Sequence, residues 1–372
     1  MDRANATSIA IRALNAMTPK APRDAVLYGF PPLNDAVTAL LAELPKRGVR
    51  CHVFVDTREA ADRVRARALS LGASSVVHRR SREAIRQFVT ARYVFLTHML
   101  YDVRPNRRQK VVNLWHGEFT KRIDNRPVAR SVHGAIAIAT SRLGASLRAT
   151  EFDIAPDKVL LVGNPRTDRL LGVTRAEARK QLGLPRTGPI LLWLPTYRLQ
   201  DRRRATPPSP SLEELQTLDR WLGQHNATLV VKHHPLTPAE SAPGGLRRIR
   251  HLHDSDEAVS IGTLMAASDG LITDFSSAWV DFLLLDRPIW IHWPDHVNWS
   301  ERDQIPLAPL SNWSPGPVTV DVEQLIAELT RYFGDDIDEW AQRRSWLRPV
   351  LHTYVDEHNT ERLLDALHIG EL

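Results

Sequence analysis

Short apolar runs alternate with longer segments in which apolar residues recur every three or four positions. That alternation predicts strands followed by helices throughout the chain. In the first half it places strands at 25–29, 49–55, 75–78, 93–97, 110–115, 135–139 and 159–162, with helices at 34–44, 58–71, 81–90, 141–150 and 175–182. The second half repeats the rhythm: strands at 190–194, 228–232, 248–252, 270–273 and 289–293, helices at 211–224 and 261–267. Residues 199–210, polar and proline-rich, read as loop, as do 236–247, and 294–317 read as irregular. Helices at 322–333, 335–351 and 360–367 complete the pattern. Repeated strand–helix units with short connections predict an α/β fold with parallel, doubly wound sheets. The length of 372 residues and the turn region near 165–188 divide them into two Rossmann-like domains, expected at 1–170 and 171–334. The helices at 335–372 are expected to pack back on the first.

Residues 264–288 organise the second half: a helix end, a buried strand, a turn and a second apolar run at 278–285. Asp274 or Ser276 is a natural cap for that run, because a side-chain oxygen can accept an orphan helix N–H. A strand that feeds a hydroxyl-rich helix start is also suited to an anion. In the blander reading the serines only cap the helix.

Composition narrows the partners. A formal net charge of +6 favours anionic ligands, while 43% hydrophobic and 25% charged residues are ordinary globular values. Cys51, the single cysteine, excludes an intrachain disulfide framework and a cysteine-cluster metal site, and suits a reducing cytoplasm. No run of apolar residues is long enough to span a bilayer, and no signal peptide is expected. Residues 6–17 could form a short amphipathic helix, read first as packed on its own domain and second as a membrane-surface contact.

The chemistry gathers at predicted strand ends. Trp115-His116-Gly117 follows a strand, amid Arg104, Arg107, Arg108, Lys110, Lys121, Arg122, Arg126 and Arg130. Thr196 and Arg198 end another strand, Lys232-His233-His234 a third, and Thr273 to Ser277 a fourth. In a doubly wound sheet those carboxyl ends form the binding crevice. Each feature also has a structural reading, as a solvated basic face or a core histidine. No GxGxxG after a strand, no P-loop and no GxSxG is present, so the dinucleotide, P-loop and hydrolase classes lack their mechanics. His233 and His234 are adjacent, so on a strand they point to opposite faces and are poorly placed to share a metal ion. The basic content comes without a nucleic-acid module, and no nucleic-acid partner is expected.

The order of these motifs resembles the CDP-glycerol glycerophosphotransferase family of teichoic-acid and capsule polymer enzymes. Residues 112–121 (VNLWHGEFTK) look like its WHGTPLK segment, 163–170 (GNPRTDRL) like GxPRND, and 192–198 (LWLPTYR) like APTWR. VVKHHP at 230–235 resembles KxHP, residues 268–288 resemble SDxLITDYSSxxFDFxxLxRP, and 314–318 (SPGPV) fit PGPV. The resemblance implies a GT-B-like α/β fold of two facing Rossmann-like domains with C-terminal helices, the donor held mainly by the second. It implies transfer of glycerol phosphate, or a related polyol phosphate, from CDP-glycerol to a hydroxyl of a teichoic-acid-like or capsular acceptor, with release of CMP. By matching position, His116 is the candidate base and His234 the second catalytic residue. Gly117, Thr196, Arg198, Lys232, Thr273, Asp274, Ser276 and Ser277 would hold the donor, with Lys121 and Arg122 on the acceptor side. No cofactor or metal is expected to be required. The expected partners are a nucleotide-activated polyol and an anionic polymer or lipid-linked acceptor, in the cytoplasm and peripherally at the inner membrane face. Glu118-Phe119 replaces the family's Thr-Pro and Tyr197 its Trp, and 295–303 only approximate a later family stretch. The alternative class is a GT-B glycosyltransferase or epimerase acting on a nucleotide sugar.

Overall fold

The computed structural model describes residues 3–101, 106–118, 135–196, 198–200, 203–205, 210–233, 244–252, 259–296, 309–335 and 337–370. The described chain forms two compact units. One comprises Met1–His116, Ile123–Arg169 and Leu351–Leu372, the other Gly117–Arg122 and Leu170–Val350.

The first unit is built on strands β1 (Ala21–Tyr28), β2 (Arg50–Val55), β3 (Ala73–His78), β4 (Ala91–Leu96), β5 (Lys110–Asn113), β6 (Ile136–Ala139) and β7 (Val159–Leu161). They pair in parallel in the order β3-β2-β1-β4-β5-β6-β7. Alternate residues of one strand enter opposite layers: Leu27, Val53 and Phe95 join one core, Val26, Phe54 and Val94 the other. Both faces are covered, which is why these strands read as unbroken apolar runs.

Helices start where polar caps occur in the sequence. Asn34, Thr57, Ser81 and Ser141 each accept the backbone N–H three residues on, at the head of Asp35–Glu43, Arg58–Ser70, Arg82–Thr90 and Arg142–Phe152. The helix Arg3–Met17 packs on this unit. Ile11 is buried, Asn15 donates to Gln109 Oε1 at 3.0 Å, and Lys20 Nζ reaches Asn15 Oδ1 at 2.8 Å. Ile9, Leu14 and Met17 remain exposed.

The second unit carries β8 (Ile190–Leu194), β11 (Thr228–Lys232), β12 (Ile249–Leu252), β13 (Gly270–Thr273), β14 (Ile289–His292) and β15 (Val318–Thr319). They are parallel in the order β12-β11-β8-β13-β14-β15. The polar stretch at 199–210, expected to be loop, instead holds an antiparallel pair, β9 (Arg198–Gln200) and β10 (Arg203–Ala205). Its arginine-rich composition carries no strand signal, and the pairing is seen only in the backbone register of Arg198–Gln200 with Arg203–Ala205. Capping boxes at Thr174/Glu177 and Ser211/Glu214 begin Arg175–Gln181 and Leu212–Gln224.

The C-terminal helices divide between the units. Ala341–Leu351 stays largely with the second, where Arg348 pairs with Asp286 at 3.2 Å. Only the segment from Leu351 onward belongs to the first, a later boundary than residue 335. The GNPRTD turn explains its anchoring. The Asp168 carboxylate accepts Asn359 N at 3.0 Å, Asn359 Nδ2 at 2.8 Å, Thr360 N at 2.8 Å and Thr360 Oγ1 at 2.5 Å, holding the start of Asn359–Ala366. Leu363, Leu364, Leu367 and Ile369 then enter the core with Leu27 and Val53. Gly163, at φ +80°, is needed here, because a Cβ on it would lie 1.8 Å from Asn359 Oδ1.

In each sheet the chain leaves its first strand in one direction and later returns to the other side. The reversal lies between β1 and β4 in the first unit and between β8 and β13 in the second. Crevices at the carboxyl ends of strands open at such points.

Candidate active site

At the reversal in the first unit, Thr97 follows β4 and links its neighbours. Its hydroxyl oxygen accepts Phe30 N at 3.3 Å and Asn34 Nδ2 at 3.4 Å, both from the connection after β1. Beyond β5, Asn113 Oδ1 accepts Trp115 N at 3.0 Å, and Trp115 takes a left-handed backbone at φ 53°. That conformation costs about 1–3 kcal/mol for a non-glycine residue and persists only where its surroundings hold it. Here the indole packs edge-on against Phe152 at 5.0 Å. The turn delivers His116, exposed, over the end of β4, where its Nδ1 meets Thr97 O at 3.1 Å. A carbonyl can only accept, so Nδ1 carries a hydrogen, and in the neutral ring Nε2 carries the lone pair. His116 is thereby held in the tautomer a general base requires.

The reversal in the second unit is joined by a carboxylate. Asp274, just past β13, accepts Thr196 N at 2.9 Å, the Thr196 hydroxyl, and Ser276 N at 3.1 Å. Thr196 and Asp274 are both buried, so their direct bonds fix the strand ends and the turn that follows. Expected as donor ligands, they are bound to each other, because adjacent strand ends bring a donor pair against one carboxylate. Thr273 departs further from expectation: its side chain is fully buried and its hydroxyl donates to Leu194 O at 2.7 Å. It braces β8 against β13, as an inward-facing strand residue must.

Asp274 presents Ser276 and Ser277 at the head of Ala278–Phe282. Ser276 Oγ accepts Ala278 N at 3.3 Å, and Ser277 is the cap residue with no side-chain capping bond. Gly117, grouped with this unit, approaches closely: a Cβ on it would lie 3.1 Å from Ser277 Oγ. Lys232 ends β11 and is buried. Arg198 opens β9, and its side chain lies outside the described residues, as do His234, Lys121 and Arg122 in full. His233 Nε2 pairs with His251 Nδ1 at 3.1 Å. Among the described residues no group of three or more His, Cys, Asp or Glu side chains is placed to hold a metal ion.

His292, at the end of β14, was not singled out by the sequence. It is buried, its Nδ1 lies 3.0 Å from Thr319 Oγ1, and Trp193 packs edge-on to it at 5.4 Å. Burial pushes its pKa down to about 4, against the opposing pull of Asp274, Asp321 and Glu214. The folded state therefore prefers neutral His292. This stabilisation is intact above the ordinary histidine value near 6.5 and is lost as pH falls through 6.5 towards 4. The loss should approach about 3 kcal/mol. Urea unfolding at stepped pH should show that component in the wild type and not in His292→Gln; equal acid sensitivity of the two proteins would refute it.

The 268–288 motif divides between the two ends of the sheet. Asp269, before β13, pairs with Arg175 at 2.6 Å and with buried Arg179, and accepts Ile190 N at 2.7 Å. Arg287 donates to Ala266 O at 2.8 Å, and burial first, then Arg175, lowers its pKa to about 10. These residues tie helices to the amino ends of strands, opposite Asp274.

The family described as CDP-Glycerol:Poly(glycerophosphate) glycerophosphotransferase matches residues 14–369. The chain is similar to the teichoic acid ribitol-phosphate primase of Bacillus spizizenii, with 27% identity over 72% of this chain and 72% of that protein. It is 22% identical to the teichoic acid ribitol-phosphate polymerase TarL of Staphylococcus aureus, over 74% of this chain and 51% of that one. A solved structure of the wall teichoic acid polymerase TagF matches with a TM-score of 0.79 at 19% identity, covering 98% of this chain and 96% of that one. The shared architecture is a GT-B-like α/β fold. Among the described residues no helix is long and apolar enough to cross a membrane.

Proposed function

Because the chain belongs to the CDP-glycerol:poly(glycerophosphate) glycerophosphotransferase family, we propose that its polyol-phosphate transfer to a teichoic-acid-type polymer runs through His116 as base and a CDP-linked polyol as donor. Membership sets aside the nucleotide-sugar alternative. An acceptor hydroxyl gives its proton to His116 Nε2 while its oxygen bonds to the distal phosphorus of the donor. The bond from that phosphorus to the bridging oxygen breaks, and CMP leaves. The supporting observation is the Nδ1 contact with Thr97 O, which keeps the lone pair on Nε2.

Charge developing on the phosphoryl oxygens calls for fixed donors. Ser276, Ser277, the neighbouring backbone N–H groups and Lys232 supply them in this reading, which also assigns Arg198 and His234 to the donor by their position in the motifs. Gly117 allows the close approach at Ser277. Thr196 and Asp274 shape the turn, and Lys121 and Arg122 are assigned to an anionic acceptor by their charge. An acceptor grown on a lipid carrier places the enzyme at the inner membrane face, with exposed Ile9, Leu14 and Met17 as the apolar contact. No separate cofactor enters this scheme.

Purified protein given CDP-glycerol or CDP-ribitol, with and without a glycerol-phosphate oligomer, should release CMP only when both substrates are present. The productive arm names the polyol. Acceptor-independent CMP release, or release of UDP from a UDP-sugar, would overturn the reading.

A further inference from the structure

Asn113 is a polar residue in an apolar row. It ends β5, and its register partners, Leu96 on β4 and Ala137 on β6, both belong to the core on that face, together with Val111 and Phe152. Asn113 is 1% exposed, and its Nδ2 is buried with no hydrogen-bond partner among the described residues. The amide cannot turn over to relieve this. Its Oδ1 accepts Trp115 N at 3.0 Å, and a flip would set an NH2 group against that N–H. A buried donor left unpaired is costly enough to call for a compensating use.

That use lies in the next two residues. An asparagine that accepts the backbone N–H two positions on closes an Asx turn. Here the turn holds Trp115 at φ 53°, a left-handed conformation that a bulky residue rarely takes. Its surroundings are fixed from other directions: Leu114 is buried and its N donates to Leu96 O at 2.8 Å, while the Trp115 indole rests on Phe152. His116 leaves directly from the left-handed residue. Relaxation of Trp115 to a negative φ would rotate the peptide that carries His116 and draw its ring away from Thr97 O. An aliphatic residue at 113 would suit the row and offer no acceptor.

We propose that Asn113 is the positioning residue of the site: through the Asx turn it sets the backbone of Trp115, and through Trp115 the place and tautomer of His116. The inference rests on the reading of His116 as base. Asn113 touches neither substrate in this account and acts only through the turn.

The test compares Asn113→Leu, which keeps the size and removes the acceptor, with Asn113→Ser, whose hydroxyl can close the same turn more weakly. Both are made in the full chain and assayed with whichever CDP-polyol and glycerol-phosphate oligomer support turnover. In Asn113→Leu, kcat should fall about 10²-fold, the effect of a catalytic group displaced by about 1 Å, with the KM for the donor within a few-fold of the parent. Asn113→Ser should recover part of kcat. Long-range ¹H–¹⁵N NMR of the neutral ring, with the His116 signal identified by its loss in His116→Asn, gives the second readout. It should show the hydrogen on Nδ1 in the parent and the serine variant, and a mixture of tautomers in the leucine variant. Turnover of Asn113→Leu within a few-fold of the parent would overturn the proposal. An unchanged His116 tautomer, or equal losses in the two variants, would assign Asn113 to packing alone. If His116→Asn retains turnover, the base reading fails instead, and the NMR comparison still decides whether Asn113 positions that ring.

Discussion

Replacing His116 with asparagine should lower kcat by roughly 10²–10⁴-fold, the usual contribution of a positioned general base. The asparagine amide can still donate to Thr97 O as Nδ1 does, so the turn after β5 keeps its hydrogen bond while the basic lone pair is lost. Donor binding should persist, because in this reading His116 acts on the acceptor hydroxyl and other residues are assigned to the diphosphate. Calorimetric titration with the CDP-polyol should therefore give an affinity within a few-fold of the parent protein. The melting temperature should move little, since the side chain is exposed. Turnover within ten-fold of the parent would remove His116 from the mechanism. A large loss of donor affinity with unchanged kcat would reassign it to binding.

The largest effect on stability is expected from Asp269→Ala. That carboxylate neutralises Arg179, whose side chain is 8% exposed, and also holds Arg175 and the Ile190 backbone N–H. Arg287 lies close enough for Arg175 and Arg179 to depress its pKa. Removing that acid leaves a buried guanidinium with only carbonyl partners and no counter-charge among like charges, a change that typically costs about 3–5 kcal/mol. Urea unfolding at neutral pH should show a loss of that size, with Asp269→Asn intermediate because the amide keeps one acceptor. A loss below 1 kcal/mol would mean that water or another group compensates Arg179. Activity at low temperature should survive, because Asp269 precedes β13 and the turn proposed to hold the phosphates follows it. Two aspartates five residues apart in one motif would then separate cleanly, Asp269 acting on stability and Asp274 on the site.

The local pattern of this chain determined a good deal by itself. Apolar runs located the strands, and Asn34, Thr57, Ser81, Ser141, Thr174 and Ser211 marked helix starts, because caps and side-chain periodicity act within a few residues. The same pattern put Lys232 at the end of a strand and His116, Thr196 and Ser276 after strands, and the order of motifs pointed to the family. Tertiary structure decided which strand ends became neighbours. Nothing near Thr97 in the sequence announces that its carbonyl orients His116, and nothing near Asp274 announces Thr196. Thr273 looked equivalent to Ser276 until the pairing of β13 with β8 turned it into the core. The burial of His292, and the division of one motif between the two ends of a sheet, were hidden for the same reason. Strand order is set by packing between residues far apart in sequence, whereas period and capping record only what each residue does beside its neighbours.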